Sequence, residues 1–384
     1  MHALLLALAV LAAAGQAVIF AEMVVGNRRL RFLHDVPAPG EGEIPPISVI
    51  VAARNEARGV RQGVASLLRL RGVAEVIAVD DRTEDATGAI LDELAAGDPR
   101  LRVVHVEHLP AGWLGKNHAL WRGAEAASGG ELLLFTDADV VMEPEAAERA
   151  AAYLVREGMD HVTVAPEIRM PGRLLSVFGI AFGLFFSVFA RPWKARDPRS
   201  SRHVGIGAFN LVRAPAYRAA GTHRAIAMRP DDDMKLAKIL KKTGHRQDFL
   251  IGSGMLHVEW YASVRETVQG LKKNAFAGLD YSLAAVVAST LVHLLVFSWP
   301  WGAVWIARGW AQGLYAAAIV LMLVLFAGSA RVQRVPLRYA VLFPVACLLF
   351  VYVVWNGTAY VLRTGGIEWR GTRYPLAELK ANRV

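Results

Sequence analysis

The chain has 384 residues, 54% of them hydrophobic, with a formal net charge of +9 and a mean hydropathy of +0.32. It is too apolar for an ordinary soluble domain and long enough for one sizeable core plus membrane segments. The basic balance points to an anionic partner or lipid, no Lys/Arg block interleaved with aromatics favours nucleic acid, and the single cysteine, Cys347, excludes a disulfide framework.

Residues 1–26 are almost uncharged until Glu22, and Arg28, Arg29 and Arg31 follow. A cleaved signal peptide carries its positive charge ahead of the apolar stretch. Here the charge comes after, which predicts an uncleaved transmembrane anchor with its C-terminal end in the cytoplasm. Residues 38–46 read as a linker. From 44 to 276 short β-rich runs (47–51, 76–79, 101–106, 132–135 and 162–165) alternate with stretches of helical period. That pattern predicts an α/β domain of βαβ units on a mostly parallel sheet.

Residues 174–190 are apolar and at the lower limit for a membrane span. A crossing there would put Asp137 and Asp139 on one side and Asp231, Asp232 and Asp233 on the other. The expectation is therefore an interfacial helix lying flat, with Arg191 and Trp193 at headgroup level. Residues 282–362 hold about three spans (282–307, 310–327 and 339–362), with Pro300 and Pro344 expected as kinks. Residues 363–384 read as a polar tail. Four spans put that tail outside, whereas Arg363, Arg370, Arg373, Lys380 and Arg383 against Glu368 and Glu378 put it in the cytoplasm. A re-entrant segment would reconcile the two.

The chemistry sits where the β-rich runs end. Asp137-Ala138-Asp139 closes an apolar run and aims two carboxylates outside a strand's carboxyl end, the usual ligand-binding edge of such sheets. Hard oxygen ligands at that spacing suit Mg²⁺ or Mn²⁺ beside nucleotide phosphates. Arg54-Asn55-Glu56 can hydrogen-bond a base and ribose, or Asn55 can cap a helix. Asp80-Asp81 needs a nearby cation; Asp81 suits a ligand and Asp85 a helix start. Lys116 follows Gly112-Trp113-Leu114-Gly115 and suits a diphosphate at a helix N-terminus. Asp231-Asp232-Asp233 opens a helix with more acids than caps require, leaving one as a general base. Gly205 to Asn210 reads as a tight turn.

In this order the motifs resemble those of family 2 glycosyltransferases of the GT-A fold, over residues 47–276. The membrane arrangement is similar to that of the lipid-directed branch, which includes ceramide glucosyltransferases and carotenoid glycosyltransferases. The resemblance implies that Asn55, Glu56 and Asp81 meet the donor nucleoside and Lys116 its nucleotide part. It implies that Asp137 and Asp139 hold donor and metal, and that Asp233 of the Asp232-Asp233 pair is the base. The expected activity is an inverting, metal-dependent transfer of one sugar from a nucleotide sugar, a UDP-sugar, to a membrane lipid, on the cytoplasmic side of a bacterial-type cell membrane. Where many members carry Gln-x-x-Arg-Trp, this chain reads Gln269-Gly270-Leu271-Lys272-Lys273-Asn274. Lys273 and Trp260 are the acceptor-side candidates, and processive polysaccharide synthesis is disfavoured. An intramembrane prenyltransferase, using Asp80-Asp81-x-x-x-Asp85 and Asp231–Asp233 as paired diphosphate sites, is the other alternative; those motifs follow β-rich runs rather than membrane helices.

Overall fold

In a computed structural model, which describes residues 2–384, the N-terminal apolar run forms helix α1 (His2–Asn27). There follow β1 (Arg31–Phe32), β2 (Ile47–Ala53), α2 (Val60–Leu68), β3 (Val73–Asp81), α3 (Thr87–Gly97), β4 (Leu101–Val106) and α4 (Gly115–Ala126). Next come β5 (Leu132–Asp137), β6 (Val140–Met142), α5 (Ala146–Arg156), β7 (His161–Ala165), β8 (Glu167–Arg169) and α6 (Arg173–Ala190). The chain continues through β9 (Asn210–Arg213), α7 (Ala214–Ala219), α8 (Asp232–Lys242), β10 (Gln247–Ile251), β11 (Leu256–Glu259) and α9 (Val264–Ala275). It ends with α10 (Leu283–His293), α11 (Trp299–Ile306), α12 (Trp310–Val332), α13 (Phe343–Thr364), β12 (Gly366–Trp369), β13 (Thr372–Pro375) and α14 (Leu376–Ala381).

The expected strands are all present, most of them longer by one to three residues at an end. The reason is visible in their side chains. Val49, Val51, Val76, Ala78, Leu132 and Leu134 pack with α2 and α5 on one face of the sheet. Their neighbours Ile50, Ile77, Val79, Leu133 and Phe135 pack with α4, α7 and α8 on the other. Period-two alternation thus feeds two cores, and each buried aliphatic side chain contributes about 1.5–3 kcal/mol.

Among the described residues the main sheet has the order β1-β10-β7-β9-β5-β2-β3-β4. Neighbours run parallel except β9, which is antiparallel to both β5 and β7. The first long strand, β2, lies between β5 and β3, with Ala52 opposite Asp137 and Ala53 opposite Asp80. Because β9 runs the other way, Asn210 at its start is level with Phe135 near the end of β5. The ends of β2, β3 and β5 and the start of β9 therefore share one edge, the switch point where such sheets bind ligands.

The chain divides into two compact units. The α/β unit comprises residues 30–167, 192–259 and 368–384, and the helical unit the N-terminal stretch to Arg29 with 168–191 and 260–367. Two expectations change here. Residues 260–276 belong to the helical unit, where α9 packs on α13. The polar tail is folded: β12 and β13 pair as a hairpin, and Tyr374 and Leu379 are buried in the α/β unit.

Within the helical unit α1 packs along α12. Ala9, Ala12, Ala303, Ala307 and Ala311 form a seam of small residues, where helix backbones approach closely. The Tyr315 hydroxyl donates to Leu5 O at 3.1 Å and accepts from Trp299 Nε1 at 2.9 Å. Phe185 of α6 contacts the rings of His293, Phe297 and Phe350. Pro300 follows a π-helical stretch, Leu294–Ser298, in the first turn of α11, and Pro344 sits in the first turn of α13. Pro344 thus takes a position where its missing N–H costs nothing, whereas Pro300 lies within the continuous helical run 283–306, directly after its π-helical irregularity.

Candidate active site

The strand-end acids gather around one lysine. Lys116, in the first turn of α4, places Nζ 2.8 Å from Asp137 Oδ1 and 3.4 Å from Asp232 Oδ2. Burial works against its charge, but Asp137, Asp232 and Asp233 more than offset it, and its pKa is raised. Asn117 ties α4 to the loop ahead of α8, donating from Nδ2 to Ile226 O at 2.8 Å and Arg229 O at 2.9 Å. The lysine anticipated for a diphosphate is thus held among three acids.

Asp233 stands opposite. Its Oδ1 accepts from Met234 N at 2.7 Å and its Oδ2 from Gly207 N at 2.8 Å. Burial, and the neighbouring Asp232, push its carboxyl up to about 7, while Lys116 pulls the other way. That is the range a general base needs at neutral pH. Lys116, Asp137, Gly207, Asn210, His223, Asp232 and Asp233 line a common pocket. Asp231, at the N-cap of α8, makes no capping hydrogen bond with its side chain. Asp231 instead pairs with Arg229 at 2.9 Å and Lys235 at 3.4 Å, so it is the structural member of the run.

Gly207 explains why the 205–210 loop is more than a turn. A Cβ there would stand 2.7 Å from Asp137 Oδ2 and 3.5 Å from Lys116 Nζ. The loop backbone lies against the acid–lysine pair, an approach open only to glycine. Thr136 Oγ1 fixes the loop by donating to Ala208 O at 2.8 Å.

Asp139 projects from the short turn between β5 and β6. Its surroundings and the Asp137 and Glu56 carboxylates push it well above the usual carboxylate range. An acid crowded by acids is the arrangement a divalent cation relieves. Among the described residues no cluster of three or more His, Cys, Asp or Glu side chains is gathered for a metal. Asp137 and Asp139 would therefore need a ligand's oxygens to complete a coordination shell.

The nucleoside-side candidates lie on β2 and β3. Asp81 is buried, and Arg82 grips both its oxygens, Nε at 2.8 Å and Nη2 at 2.9 Å. Arg54 Nη1 is 3.8 Å away. These arginines answer the need of Asp81 for a cation, and His105 Nδ1 lies 3.0 Å from Asp80 Oδ2. Asn55 is not a helix cap: α2 begins at Val60, and Asn55 Oδ1 accepts from Glu84 N at 2.9 Å. Glu56 N donates to Thr87 Oγ1 at 2.8 Å, and Asp85 Oδ1 accepts from Thr87 N at 2.9 Å ahead of α3.

The acceptor-side candidates belong to the helical unit. Trp260 stacks on Tyr261 at 4.9 Å and meets Phe182 edge-on at 4.7 Å. Lys273 lies on α9, where its neighbour Lys272 bonds Gln269 Oε1 at 2.6 Å and faces the Tyr360 ring.

The chain is similar to known glycosyltransferases. The family model described as "Glycosyl transferase family 2" matches residues 48–219. A 4,4'-diaponeurosporenoate glycosyltransferase of Staphylococcus haemolyticus is 23% identical over 369 residues, covering 91% of this chain and 94% of that protein. The succinoglycan biosynthesis protein ExoO of Rhizobium meliloti is 28% identical over 148 residues, 37% of this chain and 40% of its own. Among solved structures, the mannosyltransferase PcManGT from Pyrobaculum calidifontis, in complex with GDP-Man and Mn²⁺, aligns with a TM-score of 0.53. It is 17% identical and covers 91% of this chain and 99% of its own, a likeness of fold.

Proposed function

We propose that this chain is a family 2 glycosyltransferase of GT-A fold and that it transfers one sugar from a nucleotide sugar to a lipid hydroxyl, a carotenoid-type lipid being the best-supported class. The observation that carries the reading is the convergence of Lys116, Asp137, Asp232 and Asp233 in one pocket at the sheet's switch point. The acceptor class rests on the carotenoid glycosyltransferase that aligns along nearly the whole chain.

In the proposed mechanism Asn55, Glu56 and Asp81 meet the nucleoside, a uridine, and Lys116 binds the donor diphosphate. Asp233, held by Gly207 N and Met234 N, takes the proton from the acceptor hydroxyl as its oxygen attacks the anomeric carbon. The nucleoside diphosphate leaves from the opposite face, so the configuration inverts. Asp139 and Asp137 would hold Mg²⁺ or Mn²⁺, which when bound offsets charge on the leaving diphosphate. Asp232 keeps Lys116 oriented.

The membrane arrangement follows from parity. The α/β unit is assembled from three stretches of chain, and these must lie on one side of any membrane. The chain leaves it at Glu167 and returns at Pro192, so α6 does not cross and lies in the interface. It leaves again at Glu259 and returns at Glu368, so an even number of the candidate spans 283–306, 310–332 and 337–364 cross. Gln333 Oε1 accepts from Ile168 N at 2.8 Å, beside the point where the chain leaves the α/β unit. Arg331, Arg334 and Arg338 surround that connection, against Arg308 alone in the other. Both features favour 283–306 and 310–332 as the crossing pair and 337–364 as the non-crossing helix, with the α/β unit cytoplasmic.

The test is to incubate the purified protein with labelled UDP- and GDP-sugars, Mn²⁺ and a hydroxylated carotenoid or total lipid extract, and to identify the product. A labelled lipid of inverted configuration supports the reading; labelled polymer, or no label in lipid, refutes it. For topology, single cysteines at Gly309 and Gln333 in a Cys347→Ser background should label from opposite sides of sealed vesicles.

A further inference from the structure

The C-terminal hairpin ends at the donor-side residues. Its two-residue turn is Arg370-Gly371, both with positive φ, 50° and 76°. Such turns favour Asn-Gly, and a non-glycine residue other than Asn or Asp is held there at a cost. The arginine so held ion-pairs with Glu56 and donates from Nη1 to Asn55 O at 3.2 Å. Four residues on, the buried Tyr374 hydroxyl accepts from Gly115 N at 3.3 Å and hydrogen-bonds Arg82, the residue that grips Asp81. The tail is anchored beyond this: Asn382 Oδ1 accepts from Met228 N at 2.9 Å, and its Nδ2 donates to Ala225 O at 3.0 Å.

We propose that the hairpin 366–375 is a working wall of the donor site, with Arg370 and Tyr374 as positioning residues for the nucleoside diphosphate. Arg370 orients Asn55 and Glu56, and Tyr374 orients Asp81 through Arg82 and fixes the start of α4 beside Lys116. A residue unsuited to its turn, aimed at two candidate ligand groups 314 and 315 positions away, has a function that Asn would not serve. The proposal rests on the reading of Asn55, Glu56, Asp81 and Lys116 as the donor site.

The test exploits that mismatch. Arg370→Asn suits the turn and removes the cation. In the full-length protein with Mn²⁺, Kd for UDP, and in parallel GDP, should rise about tenfold or more, which corresponds to about 1.4 kcal/mol. Donor KM should rise with it, while kcat, acceptor KM and the unfolding temperature hold or the last increases. Arg370→Lys should recover part of the affinity. Unchanged or tighter nucleotide binding in Arg370→Asn overturns the proposal, as does a loss matched by a lower unfolding temperature. Asp81→Asn, measured alongside, separates the two claims. If it loses nucleotide binding while Arg370→Asn keeps it, the hairpin's role alone fails; if it binds normally, the donor-site reading falls, and the hairpin's role with it.

Discussion

The backbone N–H of Gly207 donates to Asp233 Oδ2 at 2.8 Å while its α-carbon leaves no room for a side chain beside Asp137. One residue thus sets the position of the candidate base and of the acid paired with Lys116.

Gly207→Ala should therefore impair chemistry more than folding. The added methyl would displace the Asp137 carboxylate, and displacements near 1 Å at such sites cost roughly 100-fold in rate. We expect that order of loss in kcat/KM with an unfolding temperature within a few degrees of wild type. Normal turnover would show that the Asp137–Lys116 contact does not matter to catalysis.

Asp233→Asn should lower transfer by roughly 10²–10⁴-fold, the range for losing a general base, and leave UDP binding near normal. Because burial and Asp232 raise its carboxyl to about 7, it is deprotonated above that pH and protonated below it. The acidic limb of kcat/KM should then fall near pH 7 instead of near 4. A profile flat down to pH 5 would remove Asp233 from the role.

Asp139→Ala should abolish the Mn²⁺ dependence of nucleotide binding, since Asp137 and Glu56 crowd that carboxyl in a way a cation relieves. Isothermal titration with and without Mn²⁺ reads this directly. Equal metal enhancement in wild type and variant would contradict it.

Stability should fall in acid through His161. The residue is fully buried, its Nε2 is 3.1 Å from Asn210 Oδ1, and burial holds its pKa down to about 4. The unfolded chain takes up a proton near 6.5, so the stabilisation is complete above that pH. It is lost as pH falls from about 6.5 towards 4, by about 1.4 kcal/mol per unit. Denaturant titrations of wild type and His161→Gln at pH 7.5 and 5 should show a smaller acid loss in the variant; equal losses would exclude His161.

Two lysines on α6, at Phe186 and the exposed Phe189, should reduce transfer to lipid more than hydrolysis of the donor. Equal loss of both would mean that α6 serves as a core helix and not as the lipid-facing one.

What the sequence determined by itself was local. Alternating Val, Ile and Leu specify strands, and uncharged runs of more than twenty residues specify long apolar helices, because both signals repeat along the chain. The strand-end acids Asp137, Asp139 and Asp233 could be found because each lies directly after an apolar run or opens a helix. Tertiary structure decided who meets whom. Antiparallel β9 brings Gly207 to Asp137 and Asp233. Topology gives Arg54 to Asp81 and returns a tail that reads as merely polar to Glu56 and Gly115. Charge pairing across hundreds of residues leaves no periodic trace. The nearest sequence signal was the Arg-Gly pair at 370–371, which looks like a loop until its partner is known.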